Sequence, residues 1–119
     1  MSDRVEEIRG IRVLICAEDG KKLAGEGDIN DFLGKAWEQE ATMVAIPVAR
    51  LVDDFFRLRT RLAGAVVQKF VNYRLRLAVI GDISAWVAES DALRDFVREA
   101  NRGRDICFVA DLAELRSRL

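Results

Sequence analysis

Asp53-Asp54-Phe55-Phe56-Arg57-Leu58-Arg59-Thr60-Arg61-Leu62-Ala63-Gly64 runs on through Gln68-Lys69-Phe70-Val71-Asn72-Tyr73 to Ile80-Gly81-Asp82. The stretch reads as a loop, a helix and a buried strand in one run, and it decides the fold class. From Thr60, the apolar positions Leu62, Ala63, Val66, Val67, Phe70 and Val71 give two per helical turn, which predicts a helix with one core face. Leu75 to Ile80 is a near-continuous apolar run closed by Gly81-Asp82. A strand without polar alternation is buried on both faces, as in a parallel sheet.

The same alternation extends in both directions. Val5–Ile8, the turn Arg9-Gly10, and Ile11 to Ala17 read as a hairpin. Glu18 to Gly27 is a polar, glycine-bearing loop without the order of a phosphate-binding P-loop. Asp28 is placed as the cap of a helix whose apolar residues Ile29, Phe32, Leu33, Ala36 and Trp37 fall on one face. Thr42 to Ile46 is a buried strand stopped by Pro47. Beyond Asp82, Ser90 or Asp91 caps a helix with Leu93, Phe96, Val97 and Ala100 inward. Asn101-Arg102-Gly103 is read as its C-terminal cap, with the glycine left-handed. Ile106 to Ala110 is a last strand. Asp111 and Glu114 form a capping-box start for a terminal helix with Leu112, Leu115 and Leu119 inward. The order β-β-α-β-α-β-α-β-α predicts one α/β domain over residues 1–119, built on a mainly parallel sheet of about five strands.

Composition narrows the function classes. The chain has 119 residues, no histidine and two cysteines, Cys16 and Cys107, each inside an apolar run and read as reduced core residues. Without histidine, the commonest general base and every Ser-His or Cys-His arrangement are excluded. The expectation is therefore a non-catalytic protein with no cofactor and no metal. No apolar run reaches the ~20 residues of a membrane span. The acidic start Met1-Ser2-Asp3-Arg4-Val5-Glu6-Glu7 lacks secretory-signal chemistry, which points to the cytoplasm. Net charge is −1 overall, yet +5 over residues 50–76. One basic segment on a near-neutral chain argues against nucleic acid and for a local contact with an anion or an acidic partner.

A resemblance adds to this reading. The segments Phe55 to Gly64, Gln68 to Arg74, Leu77 to Asp82 and Leu93 to Gly103 resemble the signature of a small bacterial family catalogued only as a domain of unknown function. At the level of topology the chain is also similar to STAS domains of the anti-sigma-factor antagonist type. That likeness implies a STAS-like fold and a phosphoacceptor at the start of the helix after the third strand, where Thr60-Arg61-Leu62-Ala63 falls. Thr60 matches the acceptor and Leu62 the leucine, while Arg61 and Ala63 replace glycines.

Candidate functional residues follow. Thr60 is a helix N-cap, or a phosphoacceptor whose phosphate would meet the helix start and Arg57, Arg59 and Arg61. Arg61, Gly64, Gln68 and Asn72 line one outward helix face at three- and four-residue steps. A mid-helix glycine costs about 1 kcal/mol relative to alanine, so Gly64 implies a close approach by another helix or by a partner. Asp82, past the carboxyl end of a buried strand, is a turn residue or a ligand contact. Glu89, Asp91, Asp95 and Glu99 read as a solvated face, and Trp37 and Trp86 as packing residues. The leading expectation is a protein-binding regulatory module, switched at Thr60. The alternatives are a small-ligand or anion-binding domain, or weak enzyme, at the strand carboxyl ends, and a structural homodimer subunit.

Overall fold

The computed structural model describes residues 3–119. Five strands form one sheet in the spatial order of the chain: β1 (Arg4–Ile8), β2 (Ile11–Ile15), β3 (Met43–Pro47), β4 (Arg76–Ile80) and β5 (Ile106–Val109). β1 runs antiparallel to β2 with Ile8 opposite Ile11, and the other three pairings are parallel. Arg9 and Gly10 both have positive φ, 50° and 83°. That is the two-residue hairpin turn whose twist matches the flanking strands.

Six helices complete the fold: α1 (Glu26–Glu38), α2 (Asp53–Phe56), α3 (Leu62–Asn72), α4 (Ser84–Glu89), α5 (Asp91–Arg102) and α6 (Leu112–Arg118). Strands that follow one another in space and in sequence, joined by right-handed crossovers, place their connecting helices on one face. Accordingly Leu14, Val44, Ile46, Leu77, Val79 and Phe108 share a core with Ile29 and Phe32 of α1, Phe55 and Phe56 of α2, Val66 and Phe70 of α3, and Leu93 of α5. The alternate residues, Val13, Ile15, Met43, Ala45, Ala78, Cys107 and Val109, face the other way and pack with Leu115 of α6. No polar or charged residue is buried among the described residues.

Several local expectations are corrected. The segment before α3 is not a loop: burial of Phe55 and Phe56, with Phe56 stacked on Trp86 at 4.2 Å, folds it into α2. A 3-10 turn (Leu58–Thr60) follows. α1 begins two residues before Asp28, which reaches back from inside the first turn to accept the N–H groups of Ala24 and Gly25. Trp37 is not core but 84% exposed. It lies about 90° round the helix from the stripe centred on Ile29, Phe32, Leu33 and Ala36, at 100° per residue. Val71 is 43% exposed for the same geometric reason. Gly103 is extended rather than left-handed, with φ −91°. Asn101 lies within α5 and bonds β5 instead, accepting from Phe108 N–H at 2.7 Å and donating to Phe108 C=O at 3.3 Å.

Candidate functional site

α3 connects β3 to β4, so it starts at the carboxyl edge of the sheet and ends at the amino edge. Its N-cap is not Thr60 but Arg61, held left-handed at φ 66° with no side-chain cap bond. Thr60 does other work one residue earlier. Its Oγ1 lies 2.6 Å from Asp54 C=O and 2.8 Å from Arg57 C=O, and these carbonyls receive its single O–H proton. The same oxygen accepts from Leu62 N–H at 3.3 Å. Thr60 therefore ties the end of α2 to the first residue of α3. Arg57, Arg59, Thr60 and Arg61 are all exposed, on a segment anchored by buried Phe55 and Phe56 before it and Leu62 after it.

The outward face of α3 carries Gly64, Gln68 and Asn72, all exposed, with Gln68 Nε2 donating to Asn72 Oδ1 at 2.9 Å. No helix of this chain approaches Gly64, because a Cβ built there meets nothing within 4 Å. On the flank away from α1, Val67 and Val71 face Phe96, Ala100 and Ile106 across a groove of about 310 Å³. Towards α1, Lys69 Nζ bonds Asn30 Oδ1 at 3.5 Å.

Asp82 follows β4 and lies at the carboxyl edge, as Thr60 does. Its carboxylate is engaged locally, accepting Ser84 N–H at 2.9 Å. The Ser84 side chain and backbone, bonded to it, hold its pKa below the ordinary carboxylate range. It lies two residues before the start of α4, whose N-cap is Ile83, and the bond to Ser84 is one that a turn residue makes.

The carboxyl edge also holds a polar assembly that the sequence reading passed over. Arg50, three residues past β3, donates from Nη1 to Ala17 C=O at 2.9 Å and from Nε to Lys21 C=O at 2.8 Å. Its guanidinium sits 5.1 Å from the Phe32 ring centroid. Gly20, with φ 138°, lets the loop close over it, since a Cβ there would lie 2.9 Å from Arg50 Cζ. Asp3 accepts Ala17 N–H at 2.7 Å and pairs with Lys35 at 2.9 Å. Partial burial pushes the Asp3 pKa up, but the Ala17 bond and the Lys35 and Arg50 charges together outweigh it and hold the carboxyl below its usual range. Asp28 pairs with Lys21 at 2.9 Å. These groups line a cavity of about 160 Å³ with Cys16, whose thiol is pushed up to about 12, chiefly by burial. Burial thus disfavours the thiolate that a nucleophile or a metal ligand needs. The available signal for Arg50 was the one that picked out Asp82, a polar residue just past a buried strand. Asp3 carried none, because its partners are 14 and 32 residues away.

The amino edge carries a second unforeseen feature. Trp37, Tyr73, Leu33 and Leu75 line a groove of about 420 Å³ between the ends of α1 and α3.

Among proteins grouped by sequence, the family described as Domain of unknown function (DUF4180) matches residues 8–119. No curated protein and no solved structure matches the chain.

Proposed function

From the premise that the chain belongs to the DUF4180 family, which its own description credits with no activity, we propose a non-catalytic protein-binding module that works through the outer face of α3. The observation carrying this is Gly64. It sits mid-helix, exposed, with open space where a side chain would be. Among the described residues nothing packs against it to offset the cost of about 1 kcal/mol relative to alanine. A glycine in this place serves a backbone that approaches from outside. Around it lie Gln68 and Asn72, and Val71 is 43% exposed beside a groove. The exposed Arg57, Arg59 and Arg61 continue the surface towards the carboxyl edge and favour an acidic partner.

The STAS likeness assigns Thr60 as a phosphoacceptor within this surface. Support comes from its exposure, its place at the start of α3 and its three arginine neighbours. A phosphoester has no hydroxyl proton, so modification would remove the donor to Asp54 and Arg57 and add charge for the arginines to pair with. Such a switch acts by reshaping the 54–61 segment.

The test uses tagged wild type, Arg61→Glu and Gly64→Leu in capture experiments from the cells that make the protein. Both variants are expected to melt no lower than wild type and to lose a partner that wild type retains. Equal capture by all three overturns the proposal.

The carboxyl-edge cavity supports a second reading, a small anionic ligand at Lys21, Lys35 and Arg50. Each cation there is paired with Asp3 or Asp28, so a ligand must displace a carboxylate. A thermal-shift screen with nucleotides and phosphorylated metabolites decides it. A ligand at 100 times its dissociation constant adds about 2.7 kcal/mol, and a flat screen removes this reading.

A further inference from the structure

Another cavity of about 420 Å³ opens at the amino edge of the sheet. Ile11 and Arg76, the first residues of β2 and β4, line it together with Gly103 and Arg104 before β5 and Arg118 and Leu119 at the end of α6. Ile11 and Leu119 pack on the apolar layer beneath α6, which gives the cavity an apolar wall. The remaining side chains are those of Arg76, Arg104 and Arg118.

Backbone carbonyls, not carboxylates, hold two of these guanidiniums. Arg76 donates from Nε to Arg104 C=O at 2.7 Å, tying the start of β4 to the approach to β5. Both Nη groups of Arg76 are left to spare. Arg118 donates from Nη2 to Asn101 C=O and, at 3.4 Å, to Gly103 C=O, at the end of α5. The exposed Arg104 side chain makes no bond among the described residues. Burial raises the pKa of the Cys107 thiol, and the charges of Arg118 and Arg76 work against that rise. Both guanidiniums are therefore close to one buried thiol. Among the described residues no carboxylate pairs with Arg76, Arg104 or Arg118, that of Leu119 included. The carboxyl-edge cavity is the reverse, since Asp3 and Asp28 there occupy the cations.

We propose that the amino-edge cavity binds a small anion through its phosphate group. Like charges around one cavity repel each other and raise the local potential, and an anion relieves both effects. The guanidinium fork matches phosphate oxygens two at a time. A phosphate monoester carries about −1.5 to −2 charges at pH 7, so it answers more of the arginine charge than a single carboxylate does. The volume falls in the range of small-ligand sites, and Ile11 and Leu119 offer apolar surface to an organic body. A nucleic-acid strand is a poorer fit. Glu99 and Asp105 line the adjoining groove, so a polyanion running past the cavity would meet like charge. The site shares no residue with the outer face of α3 or with the carboxyl-edge cavity. It rests on neither of those readings, and each can fail alone.

Amide NMR of the intact, isotope-labelled chain tests the assignment, with phenyl phosphate as the probe. Its addition is expected to shift the amides of Arg76, Gly103, Arg104 and Leu119 with a Kd below ~1 mM. Arg104→Ala is expected to weaken binding at least tenfold with melting unchanged, because that side chain holds nothing in place. Arg104→Ala combined with Arg118→Gln is expected to abolish it. Lys21→Ala, at the opposite edge, is expected to bind as wild type does. Inorganic phosphate separates the two sources of the group: weaker binding than phenyl phosphate makes the ligand an organic phosphate, equal binding makes it free phosphate, and either upholds the site. No amide shift up to ~10 mM phenyl phosphate overturns the proposal. So do shifts centred on Lys21, Lys35 and Arg50, or wild-type affinity in the double variant. Benzoate binding as tightly as phenyl phosphate would replace phosphate with carboxylate as the group recognised. A short single-stranded RNA that binds while phenyl phosphate does not would make the surface a nucleic-acid contact, and the proposal would fall.

Discussion

Single residues in this protein are placed by what their polar atoms can reach. Thr60 has the composition of a helix cap and the position of one, yet its hydroxyl is spent on Asp54 and Arg57 as well as on Leu62 N–H. Asp3 shows the same economy, since one carboxylate binds Ala17 N–H, Lys35 and the neighbourhood of Arg50. This arrangement has a pH consequence with a definite sign. The folded-state pKa of Asp3 is depressed. Its stabilisation is therefore full above the unfolded value of about 3.9 and is lost as pH falls through the lower folded value. Asp3→Asn is expected to cost on the order of 1 kcal/mol at pH 7. It should also flatten the decline of denaturant stability below pH ~4. Glu6 is depressed too, by the bond from Arg116, so part of the acid limb remains in the variant. Superimposable acid limbs for wild type and Asp3→Asn, measured by urea unfolding at each pH, would remove Asp3 from the account.

Elements give the clearest view of what can be read without a structure. The apolar strands Met43–Pro47, Arg76–Ile80 and Ile106–Val109 were legible because burial on both faces leaves no alternation to confuse with a helix. The start of α5 at Ser90 was legible because a serine three residues before Leu93 N–H has one obvious use. α2 and α4 were not. They are short, with no full period of apolar residues, and α2 is made by the packing of Phe55 and Phe56 against Trp86 and the core. Of the candidate site, the outward set Gly64, Gln68 and Asn72 was readable from helical spacing. The inward status of Val71 and Trp37 was misjudged, since both lie on the borders of their stripes and only the neighbouring helices decide such positions. Gly64 makes the element-scale prediction. With nothing within 4 Å of an added Cβ, Gly64→Ala is expected to stabilise the free protein by about 1 kcal/mol, roughly 4 °C in melting temperature. A neutral or destabilising result in differential scanning calorimetry would mean that α3 already depends on the missing side chain within the chain, and the partner argument would lose its basis.

At the scale of the whole molecule, the sheet is covered unequally. The helices α1, α3 and α5 crowd one face, while the other relies on a single helix of seven residues, α6. That helix is fixed at its start by Asp111 accepting Glu114 N–H at 2.8 Å and by Glu114 accepting Ala110 N–H at 2.7 Å. Its side is tied to β1 by Arg116, which bonds both carboxylate oxygens of Glu6. Leu115 is its one fully buried side chain, and Cys107 of β5 lies in the same apolar layer. Such an arrangement concentrates the stability of a whole face in one residue. Leu115→Ala removes apolar area and opens a cavity, which is expected to cost 2–5 kcal/mol, a large part of the ~5–15 kcal/mol that holds a domain of this kind folded. The damage should also be one-sided. Cys107, whose pKa is raised by burial, should gain access to a thiol reagent in the variant. Cys16, buried on the opposite face with its thiol pushed up to about 12, should stay protected under native conditions. Mass-spectrometric counting of labelled cysteines over time distinguishes the two. Preferential labelling of Cys107 in Leu115→Ala, with wild type slow at both sites, is the expected pattern. Equal labelling of both cysteines would show that the two faces open together, and that α6 is no weaker a cover than the three helices opposite.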